Sequence, residues 1–88
     1  MKVELIGHLR SVVDGGVIEI KIEGQATVVE VLRMLPENLR DILLNDGKLK
    51  PGFLLLLNGS EVRSLKKGME TLVSDEDTLT AIPIIHGG

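Results

Sequence analysis

The stretch Phe53-Leu54-Leu55-Leu56-Leu57, closed by Asn58-Gly59, constrains the fold of this chain more than any other. Asn-Gly beside an extended apolar run is the strongest short signal for a β-hairpin, and Pro51-Gly52 marks the turn that leads in. Strand side chains alternate between two faces, so five consecutive apolar residues make a strand that is apolar on both. One face can lie against a helix. The other is either covered by the chain's own loops or left as an exposed patch, the kind of surface that serves for interaction.

The rest of the chain has to supply that helix and the neighbouring strands within 88 residues. A chain of this size makes one domain and buries roughly 60–65% of its unfolded surface, which leaves no room for a deep active-site cavity. Its core is aliphatic, since Phe53 is the one aromatic residue, and it has no cysteine. Disulfides, a thiolate nucleophile and a cysteine metal site are thereby excluded. With ten basic and thirteen acidic residues the net charge is −3. Phosphate neutralisation wants a basic stripe and base stacking wants aromatics, so no direct nucleic-acid partner is expected. Arg63, Lys66 and Lys67 read as solvated loop residues. No segment reads as a signal peptide or a bilayer span; a cytoplasmic location without a membrane partner is the expectation.

In chain order, Lys2 to Leu9 alternates with Val3, Leu5, Gly7 and Leu9 on one side, and predicts a strand with His8 pointing outward. Val17 to Glu23 alternates more cleanly, with Ile18, Ile20 and Ile22 inward. Asp14-Gly15-Gly16 between them is a turn signal, so the two segments predict an antiparallel hairpin. Thr27-Val28-Val29-Glu30 has the form of a capping box, and Val28, Val31, Leu32 and Leu35 follow as one apolar helical stripe. Leu35-Pro36 ends or bends that helix. Pro36 suits the first position of a second helical turn carrying Leu39, Ile42 and Leu43, with Asn45-Asp46-Gly47 as its stop. After Asn58-Gly59, Ser60 to Val62 reads as a short strand, and Leu65, Met69 and Leu72 as core contacts. Asp75-Glu76-Asp77 reads as a solvated acidic bend, and Thr78 to Ile82 as the last strand. Residues 1–82 form the domain. The sum is an α+β sheet of about four to five strands with one main covering helix.

Residues 83–88 then form a flexible tail, Pro83-Ile84-Ile85-His86-Gly87-Gly88. Glycine has no Cβ, so such an end can thread a channel that any larger residue would block. The plain alternative is a frayed terminus.

At this point the chain resembles the ubiquitin-like sulfur carriers: the small subunit of molybdopterin synthase, the thiamine-pathway carrier and the ubiquitin-related modifier of tRNA thiolation. The likeness is densest in Thr27-Val28-Val29-Glu30-Val31-Leu32, in Leu49-Lys50-Pro51-Gly52-Phe53 running to Asn58-Gly59, in Ser74-Asp75-Glu76-Asp77 and in Gly87-Gly88. His86-Gly87-Gly88 looks more like the ubiquitin-related modifier, whereas the Pro-Gly, apolar-strand, Asn-Gly series resembles the molybdopterin-synthase subunit most. Pro83 matches the first of two prolines in that second group, with Ile84 in place of the other.

The resemblance implies a β-grasp, with a mixed sheet in which the final strand pairs between earlier ones. It implies that an E1-like activating enzyme supplies ATP and Mg and adenylates the Gly88 carboxylate, after which sulfur displaces AMP to leave a thiocarboxylate. A sulfurtransferase or synthase large subunit would be the next partner. The chain itself is then no enzyme, binds no cofactor or metal, and contributes no catalytic residue. Gly87, His86, Ile85 and Ile84 would be the recognised tail. Phe53, Leu55 and Leu57 would face the helix, and Leu54, Leu56, Ile82 and Ile6 would form the docking face for the activating enzyme. Two other functions start from the same residues: attachment of Gly88 to target-protein lysines, as in ubiquitin, and a non-covalent β-grasp adaptor.

Overall fold

The computed structural model describes residues 1–84. Strand β1 (Lys2–Leu5) is followed by β2 (Val17–Glu19), β3 (Ala26–Thr27), helix α1 (Val28–Arg33) and helix α2 (Glu37–Leu43). Then come β4 (Leu44–Asn45), β5 (Lys48–Leu49), β6 (Phe53–Leu57), β7 (Ser60–Glu61), β8 (Leu72–Val73) and β9 (Thr78–Pro83). Five strands make the main sheet in the order β2-β1-β9-β6-β7. The last strand lies at the centre, parallel to β1 and antiparallel to β6, which is the β-grasp arrangement.

The two-sided strand behaves as its composition requires. Leu55 and Leu57 are buried, while Leu54 and Leu56, on the opposite face, are only half-buried. On β9, Leu79 and Ala81 enter the same core. The stripe Val28, Val31, Leu32 and Leu35 covers them, and all four are buried. Valine is a modest helix former, so α1 depends on this burial and on its cap. Thr27 Oγ1 accepts from the Glu30 amide at 3.2 Å, and Glu30 Oε1 accepts from the Thr27 amide at 3.0 Å. No polar side chain is buried among the described residues.

Several sequence expectations are corrected. The first strand stops at Leu5 instead of Leu9, because Gly7 takes φ +62 and turns the chain into a 3-10 segment, Gly7–Ser11. Leu9 reaches the core from that segment, and His8 is exposed on it and not on a strand. The second strand is shorter as well, although Ile20 still donates to the Met1 carbonyl and Ile22 is still buried.

Pro36 stands just before α2 (φ −51, ψ 144) and not at its first position; its carbonyl accepts from the amides of Leu39 and Arg40. Asn45-Asp46-Gly47 does not end that helix. Asp46 (φ 52) and Gly47 (φ 74) form the two-residue turn of a β4–β5 hairpin, as two consecutive positive-φ residues do. The strand expected over Ser60–Val62 ends at Glu61, and Val62–Ser64 forms a 3-10 turn. The final strand runs one residue further than expected, through Pro83.

Leu65 and Met69 pack against the core, but Leu72 is 52% exposed. It pairs with Thr27 across the small β3–β8 sheet, and the alternation that turns Val73 inward turns Leu72 out. The acidic bend is a joint and not merely a solvated turn. Asp75 Oδ1 accepts from the Ile22 amide and from the Met1 ammonium, at 2.9 and 3.0 Å. Asp77 Oδ2 accepts from the Ser74 amide at 2.7 Å.

Candidate functional site

The face of the sheet opposite α1 is set by register. Leu54 and Ile82 are cross-strand partners, and β1 pairs with β9 through Leu5 and Ala81. Ile6, the residue just after β1, donates its N–H to the Ala81 carbonyl at 3.0 Å. Ile6, Ile82 and Leu54 therefore stand in one row across β9, β6 and the end of β1. The next row is Val17, Glu4, Thr80, Leu56 and Glu61. Beyond it the face turns polar with Glu19, Lys2 and Thr78, where Lys2 and Glu4 are ion-paired at 3.5 Å. The aliphatic area is thus confined to the end of the sheet from which β9 leads into the tail. Ile6 and Val17 are each 41% exposed and Ile84 38%.

The structure thus brings together Leu54, Leu56, Ile82 and Ile6, the residues singled out as a docking face. It adds Val17 and a shallow cleft of about 190 Å³ beside it, lined by Ile6, Arg10, Gly16 and Val17. The alternation of the second strand had turned Val17 outward, but only the β1–β2 register puts it in line with Leu56. Of the tail residues, Ile84 donates its N–H to the Gly52 carbonyl at 2.7 Å. Ile85, His86, Gly87 and Gly88 lie outside the described residues.

Chemically, this face can hold a partner by aliphatic burial. Its leucine, isoleucine and valine side chains offer neither a nucleophile nor a base. Among the described residues no group of three or more His, Cys, Asp or Glu converges as a metal site, and no helix is long and apolar enough to cross a membrane. The carboxylates held below the usual aspartate and glutamate range lie elsewhere. Asp77 is lowered by the Asn58 side-chain amide and the Ser74 amide. Asp75 is lowered by the Ile22 amide and the N-terminal ammonium, and Glu30 by the Thr27 cap.

Comparison with known proteins is consistent in fold and family. The family model described as Urm1 (Ubiquitin related modifier) matches residues 1–88. Small archaeal modifier protein 3 of Haloferax volcanii is 34% identical, over 100% of this chain and 98% of its own length. A putative sulfur carrier protein of Archaeoglobus fulgidus is 32% identical, over 92% of this chain and 94% of its own length. A chain in the crystal structure of the Amycolatopsis orientalis BexX/CysO complex superposes with a TM-score of 0.80 at 28% identity, covering 99% of this chain and 98% of that one. With a match over its whole length and relatives above 30% identity, the chain belongs to the ubiquitin-related modifier (Urm1) family, on a ubiquitin-like β-grasp fold.

Proposed function

We propose that this protein is a ubiquitin-like sulfur carrier whose Gly88 carboxylate is activated by an E1-like enzyme docked on the aliphatic end of the sheet. The observation that carries the proposal is the row Ile6, Ile82 and Leu54, with Ile6 exposed and the other two half-buried, centred on the strand that leads to the tail. A docked partner buries that row and receives the tail in the same encounter. Burial of the row supplies affinity at about 25 cal/mol per Å² of apolar surface before the costs of association. Leu54, Leu56, Ile82 and Ile6 serve docking, and Ile84, Ile85, His86 and Gly87 serve recognition of the tail.

The chemistry belongs to the partner. A carboxylate resists attack by sulfur until one oxygen becomes a good leaving group. An oxygen of Gly88 attacks the α-phosphorus of ATP, with Mg bound at the partner's site, and pyrophosphate leaves. A nucleophile at the sulfide level then attacks the carbonyl carbon. A C–S bond forms, the C–O bond to AMP breaks, and Gly88 ends as a thiocarboxylate that a sulfurtransferase or synthase subunit can use.

A second reading shares the adenylate, and the relative named as a modifier protein favours it. There a target lysine, in place of sulfur, attacks the activated Gly88 and forms an isopeptide bond.

The test incubates the protein with ATP, Mg, sulfide and a candidate activating enzyme, and reads the intact mass. Replacement of one oxygen by sulfur at Gly88 is the expected result. With a target protein added, a mass increase of that target by one copy of this chain less one water, linked through Gly88 to a lysine, marks the second reading. An unchanged mass with enzymes that activate the related carriers rejects both.

A further inference from the structure

The point where β9 leaves the sheet is bounded by two glycines with different geometries. On one side, the parallel ladder between β1 and β9 ends at the Ile6 N–H bond to Ala81. In a parallel ladder the next donor is the amide of residue 83, aimed at the Ile6 carbonyl. Pro83 has no N–H, so that bond cannot form. At the same place Gly7, at φ +62, turns β1 away. A Cβ on Gly7 would lie 3.0 Å from Pro83 Cγ and 3.5 Å from Cδ. The pyrrolidine ring cannot rotate aside as a flexible side chain can, so any side chain at position 7 pushes the strand end.

On the other side, Phe53 pairs with Pro83, and Gly52 accepts the Ile84 N–H at 2.7 Å. Gly52 has φ +94, beyond the left-handed region open to other residues, yet no atom beyond its own and its chain neighbours' lies within 4 Å of where its Cβ would be. Glycine is needed there to aim the carbonyl and not to avoid a clash. Arg63 Nη2 donates to the Phe53 carbonyl at 3.1 Å and ties down the start of β6, next to this acceptor.

We propose that Gly7 and Gly52 form a collar that sets the direction in which the tail leaves the sheet, and that both are positioning residues for activation of Gly88. The role in activation rests on the sulfur-carrier reading; the aiming of Pro83 and Ile84 does not. Gly88 lies four positions beyond Ile84, a reach of at most roughly 14 Å at the full extension of the backbone. With so short a connection, the exit vector governs where the carboxylate is delivered relative to a partner seated on Ile6, Ile82 and Leu54. Reacting groups tolerate misplacement of only about 1 Å before rates fall.

The experiment uses the full chain as wild type, Gly7→Ala, Gly52→Ala and Leu54→Glu. Two readouts are taken: hydrogen exchange at the Ile84 amide in the free protein, and steady-state activation by the partner enzyme. In each glycine variant the Ile84 amide is expected to exchange at least about tenfold faster while core amides keep their protection. The kcat for activation is expected to fall between about tenfold and a hundredfold with KM within about twofold, as for a misdirected reactant. Leu54→Glu should do the opposite, raising KM with kcat retained. The collar is overturned if Ile84 protection and kcat stay at wild-type values, or if the glycine variants lose activity through KM alone. Should Gly7→Ala fail to fold, Gly52→Ala decides alone, since its Cβ meets no neighbour. If wild type is not activated at all, the sulfur-carrier reading fails, and Ile84 exchange still decides whether the collar aims the strand end.

Discussion

Asn58 and Asp77 are joined side chain to side chain across two turns: Asn58 Nδ2 donates to Asp77 Oδ1 at 2.9 Å. Asn58 Oδ1 in turn accepts the Thr78 amide, also at 2.9 Å. The tip of the β6–β7 hairpin is thereby tied to the entry of the central strand. Asn58→Gly tests this link cleanly, because glycine also accepts the positive φ of that position (49°). The variant is expected to lose about 1 kcal/mol of stability in urea unfolding.

The same link sets a pH dependence. Asp77 is held below the ordinary aspartate value, first by Asn58 and then by the Ser74 amide; Asp75 is held low first by the Ile22 amide and then by the N-terminal ammonium. A carboxyl with a depressed folded-state pKa stabilises the fold fully above its unfolded value of about 3.9. That stabilisation is lost as pH falls through the lower folded-state value. The urea midpoint is therefore expected to drop on acidification from about pH 5 downward. Asp77→Asn should start from a lower midpoint at neutral pH and show a shallower acid drop.

Leu54 and Leu55 are neighbours with opposite duties. Leu55 is 1% exposed and Leu54 faces away from the helix. Leu55→Ala is expected to cost about 2–5 kcal/mol in unfolding experiments. Leu54→Glu is expected to cost less than about 1 kcal/mol while reducing partner binding, read by titration calorimetry against the activating enzyme.

Helix α1 is short and valine-rich, so its cap carries weight. Thr27→Ala removes the acceptor for the Glu30 amide and is expected to cost about 1 kcal/mol. Chemical denaturation measures the loss.

Leu72 and Val73 make a further pair. Leu72→Ser should change stability by less than about 1 kcal/mol, since about half of its surface is in solvent, whereas Val73→Ala should cost about 2 kcal/mol. Equal losses from the two would contradict the orientation of β8.

Local sequence determined the features that depend on near neighbours. The capping box of Thr27 and Glu30 formed as the spacing requires, because both partners lie within one helical turn. The stripe from Val28 to Leu35 followed from periodicity and the turn at Asn58 from the Asn-Gly pair, whereas the inward set Leu55 and Leu57, in a strand apolar on both faces, came from the resemblance. The resemblance carried in these motifs brought the family and the β-grasp topology.

Tertiary structure decided everything that depends on which strand meets which. The row Ile6, Ile82 and Leu54 exists because β9 inserts between β1 and β6 in one register; a shift of one residue would turn its members to the other face. Gly7 read as one more alternating residue, and only the approach of Pro83, 76 positions later, reveals why β1 ends there. Asp75 and Asp77 read as a solvated bend, yet their partners Met1, Ile22 and Asn58 are distant in the chain. Periodicity reports which side of an element a residue occupies, and a long-range contact needs in addition the relative placement of two elements, which only the packed core sets.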